Sequence, residues 1–190
     1  MSLTITNAGT SVTPKAGPIR SGGQVIRVTP TVVAGTTDND DVAIATTAIP
    51  NAVKTLGGSS KLVGLNIIDY DNENHDMDIV FMQAEKSLGT INAAVDITDA
   101  NLVLAKLLGV ISVDWSASTT ALVTSSVFTA EQSGATANII QLPMILQAEP
   151  NTTDVYFSIV AREAIAWAAT GNLELIFHIE YLYNKCLRKK

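Results

Sequence analysis

The sequence predicts a mainly β chain: a β-sandwich or jelly-roll-like fold with one short helix and an extended N-terminal arm. Three observations carry this. Short runs rich in Val, Ile, Thr, Phe and Tyr recur along the chain, separated by Gly, Pro, Asn and Asp. The clearest, Leu173–Tyr183, sets Leu173, Leu175, Phe177, Ile179, Tyr181 and Tyr183 on one face against Glu174, His178 and Glu180 on the other. Helical spacing is convincing in one stretch, Asp96–Gly109. Many short strands with a single helix describe two packed sheets.

Residues 1–24 are expected to form the arm. Thr, Ser, Gly and Pro dominate it, and such a segment buries too little apolar surface to offset the entropy of ordering it. If it is ordered, a neighbour holds it. The sandwich domain is expected over residues 25–184 and a basic tail, KCLRKK, over residues 185–190.

Within the domain, Gln24–Val33 alternates as a first strand, with Pro30 at an edge or bend. Val42–Ile49 is a second, between the turn-rich links Ala34–Asp41 and Pro50–Ser60. The central stretch Lys61–Ala84 predicts a hairpin whose arms, Lys61–Asp69 and Met77–Gln83, flank an acidic bend, Asp69–Asp76. In the first arm Leu62, Gly64, Asn66 and Ile68 oppose Val63, Leu65 and Ile67. In the second, Met77, Ile79 and Phe81 oppose Asp78, Val80 and Met82. Both faces carry apolar residues, so a cover on both sides is expected, from a second sheet or another subunit.

In the helix, Thr98 or Asp99 can cap the start, Leu104, Leu107 and Leu108 form an apolar stripe, and Gly109 suits the position just past the end. Strands follow at Val110–Trp115, Leu122–Phe128 and Asn138–Gln147. Asp154–Arg162 is expected to pair with Leu173–Tyr183 across the link Glu163–Asn172.

Composition narrows the function. Charged residues make up 16% of the chain, against about 25% in typical soluble domains. A surface poor in charge suits a protein that lives against neighbours. With a net charge of −6, no global field draws the chain to nucleic acid or an anionic membrane. Aromatics are sparse and not interleaved with Arg or Lys, which argues against a base-stacking platform. The one cysteine, Cys186, permits no intrachain disulfide and reads as an incidental thiol. The opening MSLTITNAGTSV lacks a basic region followed by an apolar run, so no signal peptide is expected. No apolar run approaches the ~20 residues that cross a bilayer.

No constellation points to catalysis, and no cofactor is expected. Asp69-x-Asp71-x-Glu73 resembles the start of a calcium loop. It fails at the sixth position, Asn74 for Gly, and at the twelfth, Val80 for a bidentate Glu. Asp69, Asp71 and Asp76 remain the candidates for a cation in another geometry. His75 and His178 lack the convergent partners zinc needs, and His178 stands on a polar strand face. There is no G-x-S-x-G elbow, and Gly57–Lys61 lacks the phosphate-loop spacing. Arg162, at the end of the SIVA run, reads as half of a rim ion pair or as a contact between subunits.

Three segments together resemble a family of tailed-bacteriophage virion proteins, the capsid decoration, cement or auxiliary head proteins. One is a strand ending in Asp, a polar bend and a D-I-V-F strand (Ile67–Asp69, Asp78–Phe81). The second is a short Asp- and Leu-rich helix running into G-V-I-S (Asp96–Ser112). The third is a Y-x-x-I-V-A-R strand, a loop and a closing strand (Tyr156–Arg162, Asn172–Tyr183). The similarity spans residues 25–183 and is one of pattern.

The resemblance implies a non-enzymatic structural protein, made in the bacterial cytoplasm, that binds the outside of the head and stabilises the capsid. Its implied partners are the major capsid protein and copies of itself, with a trimer expected, and neither nucleic acid nor membrane. Partner contacts are expected at Ile5, Val12, Ile19 and Arg20 of the arm, and at Arg162 and Trp167. The alternative is a carbohydrate- or host-surface-binding sandwich module of a head fibre or other minor virion component, with Trp115 and Trp167 as exposed aromatics.

Overall fold

Two antiparallel sheets enclose one apolar core, and the chain crosses between them at the acidic bend. The structure, a computed structural model, describes residues 5–7, 10–12, 22–33, 35–116, 119–130, 142–167 and 172–182. In chain order the strands are β1 (Ile5–Asn7), β2 (Thr10–Val12), β3 (Gly23–Val28), β4 (Gly35–Thr37), β5 (Val42–Ile49), β6 (Ser59–Asp69) and β7 (Met77–Met82). The helix α1 (Asp99–Ala105) follows. Then come β8 (Leu107–Val113), β9 (Thr119–Leu122), β10 (Ser125–Ala130), β11 (Met144–Gln147), β12 (Val155–Ala161), β13 (Ile165–Trp167) and β14 (Leu173–Tyr181).

The first sheet runs β3-β14-β6-β10-β9, with β11 pairing the N-terminal part of β6. The second runs β5-β12-β7-β8. The mainly β, sandwich-like class is as expected. Two pairings differ from expectation. β6 and β7 lie in different sheets, so the central stretch is no hairpin but a corner between layers. β12 pairs β5 and β7, while β14 pairs β3 and β6, so those two strands also face each other across the core. Alternation shows that a strand has one buried face; it does not show from which side of the core that face looks in.

The core joins both layers. Phe177 of β14 meets Phe81 of β7 edge-on, with ring centroids 6.2 Å apart, and Phe157 of β12 at 5.5 Å. All three rings are fully buried. Leu173, Leu175, Ile179 and Tyr181 complete the inner face of β14, as its alternation predicts. In β6 the inner face changes phase: Ser60, Leu62, Leu65, Ile67 and Asp69 are all buried. The register slips there, His178 pairing Gly64 and Ile179 pairing Leu62, so Val63 is an extra, exposed residue. This bulge rotates the strand by one side chain.

The outer face of the second sheet is covered by the chain itself. Val42, Met82, Leu88 and Ala105 form a second buried cluster, with Val80, Ile97 and Val160 packed against it. The residues leading into α1, and its last residue, thus supply the second cover. On the outer face of the first sheet Val25, Val63 and Ile145 are exposed, while Ile176 is buried.

The helix is shorter than its pattern and ends differently. Thr98 caps it, its hydroxyl accepting from the Asn101 N–H at 3.3 Å. Lys106, at φ 52°, turns the chain directly into β8. Gly109 is therefore no helix terminator. It lies within β8, where a Cβ would come within 2.7 Å of Met144 Cε. Its role is the close approach of β11 to β8. The expected strand Leu122–Phe128 is instead a hairpin, turning at Val123 and Thr124 between β9 and β10. Of the expected strand Asn138–Gln147, the described part forms β11. The expected arm holds β1 and β2, which pair with each other, and β3 begins at Gly23.

Candidate functional site

The acidic bend owes its shape to its own carboxylates. Asp69, at the end of β6, is buried between Leu173 and Ser126 of the flanking strands. Its Oδ1 accepts from the Asp71 N–H at 3.0 Å and its Oδ2 from the Asn74 N–H at 2.7 Å. Asn72 and Asn74 take left-handed conformations, φ 57° and 60°, which asparagine tolerates better than most residues. Asp71 accepts from the side-chain amide of Asn172, whose carbonyl in turn receives the Tyr70 N–H at 2.8 Å. Asp76 Oδ1 accepts from the Trp115 N–H at 2.9 Å.

The three candidate ligands therefore serve four separate backbone and amide donors. Among the described residues, no group of three or more His, Cys, Asp and Glu side chains is placed to hold a metal ion. The bend fastens β6 to β14 and to the end of β8.

Its far end docks on the turn after β12. The Asp76 N–H donates to Glu163 Oε1 at 3.1 Å, and His75 Nδ1 lies 3.2 Å from the same oxygen. The His75 ring meets Trp167 edge-on, with centroids 5.7 Å apart. Arg162 Nη1 pairs with Asp78 Oδ2 at 3.2 Å, with the Arg162 side chain 54% exposed. That is the rim ion pair its position suggested, worth about 0–1 kcal/mol in such exposure.

The tryptophans are not where a glycan platform needs them. Trp115 and Trp167 are both 4% exposed, and Trp115 packs on Phe128. The exposed aromatic expected at Trp167 is thereby corrected: its indole belongs to the core. Ile5 and Val12 are opposed in the β1–β2 pair. Ile19, Arg20, Cys186 and the basic tail lie outside the described residues.

On the outer face of the first sheet, Glu174 is held from two sides. Tyr70 donates to its Oε2 at 2.7 Å and Arg27 Nη1 to its Oε1 at 3.0 Å. The tyrosine hydrogen bond holds the Glu174 carboxyl below its usual range, against the opposing effect of burial and with help from Arg27. The same bond, then burial and the carboxylate charge, raise the Tyr70 phenol. The Tyr156 phenol is raised by burial, then by Glu85 and Asp154. His178 stands on this polar face as expected, 3.5 Å from the Asn66 amide.

The feature that sequence reasoning missed is a set of exposed aliphatic side chains on α1 and β8. Leu102, Val103 and Leu104 of α1 and Leu107 and Val110 of β8 are all exposed, Val103 by 75%. Of α1 itself, Ala105 is the buried residue. The stripe of Leu104, Leu107 and Leu108 does not form, because the helix ends before Leu107; of the three, Leu108 packs against the core. A signal was present. Three successive aliphatics on a helix sweep about 200° of its circumference, so they cannot all face one side.

Compared with known proteins, the chain matches no protein-family model and no curated protein.

Proposed function

We propose that this chain is a non-enzymatic structural protein of a phage virion, one that binds the outside of the head and stabilises the shell. The observation that carries this reading is the segment Asp96–Ser112. It bears one of the three resemblances to capsid decoration proteins, and it also exposes five aliphatic side chains on a charge-poor domain. Such a surface suits permanent contact with neighbours better than free diffusion. Carboxylates occupied as backbone acceptors, rather than gathered in a cleft, accord with a structural role. On a lattice of repeated sites, weak individual contacts sum to firm attachment.

A stability assay on heads tests the reading. Genome-filled heads stripped of this protein should release DNA at a lower temperature than complete heads, and adding the purified chain should restore the original value. Heads that bind the chain with no gain in resistance would contradict the stabilising role. The carbohydrate-binding alternative loses its two aromatic candidates to the core and has no observation in its favour.

A further inference from the structure

We draw no further inference here: the strongest candidate, the side-chain cluster of Glu73, His75 and Glu163 where the acidic bend docks on the turn after β12, belongs to the structural clasp already described, and among the described residues no such group is placed to hold a metal ion.

Discussion

Asp69 Oδ2 accepts the backbone N–H of Asn74 at 2.7 Å, five residues ahead, so one buried carboxylate closes the corner where the chain passes between sheets. The same side chain holds Asp71 N–H. Asp69→Ala leaves both donors without that acceptor and is expected to cost about 3 kcal/mol, by urea denaturation. Asp69→Asn keeps one carbonyl-type acceptor and should cost roughly half as much. Equal, negligible losses for the two variants would mean that the corner forms without this clasp.

The clasp on Glu174 predicts a pH dependence. Its carboxyl is held below the usual value in the folded chain, so its stabilising contribution is fully present above the unfolded value of 4.5. It is lost as the pH falls below 4.5 through the folded value. Tyr70 is the main cause, so Tyr70→Phe should lower the stability near neutrality by a constant amount and flatten its loss in the acid range below 4.5. Identical acid limbs for wild type and variant in thermal melts would contradict the assignment.

Phe177 is the ring shared by the two layers. Phe177→Ala opens a cavity beside Phe81 and Phe157, and a fully buried phenylalanine truncated in this way costs about 3–5 kcal/mol. Chemical denaturation should report a loss in that range, with a large drop in melting temperature.

Val123 opens the two-residue turn between β9 and β10 at φ 43°, fully exposed. A β-branched residue is strained in that region, and hairpin turns there favour glycine. With no packing to lose, Val123→Gly should stabilise the chain by about 1 kcal/mol. A destabilised variant would show that the turn derives support the free side chain does not reveal.

Much of the fold was legible from alternation, and the exceptions share a cause. The final strand reads correctly because Leu173, Leu175, Phe177 and Ile179 all descend into one core. Val42–Ile49 also comes out with its bounds as expected. The bend between β6 and β7 was legible as a turn but not as a corner, since Asp69 sends its hydrogen bonds forward into the bend and nothing local reports the opposing sheet. The hairpin at Val123 was invisible, because neither Val123 nor Thr124 is a usual turn former.

The candidate site fared less evenly. Asp69, Asp71 and Asp76 were picked as acidic neighbours, but their spacing does not show that each faces a different donor. Trp115 and Trp167 follow apolar runs, and which side of such a run enters the core depends on layer order. That Leu102–Leu104 could not all be buried was readable from helix geometry, though the sequence reading did not use it.

The most direct test of the central claim is the number of copies bound per head. Purified chain would be pelleted with expanded heads lacking it, and the bound protein quantified against the major capsid protein across a titration. The account predicts saturation at hundreds of copies, in fixed proportion to the capsid lattice. Saturation at a handful of copies, or a chain left in the supernatant, would contradict it.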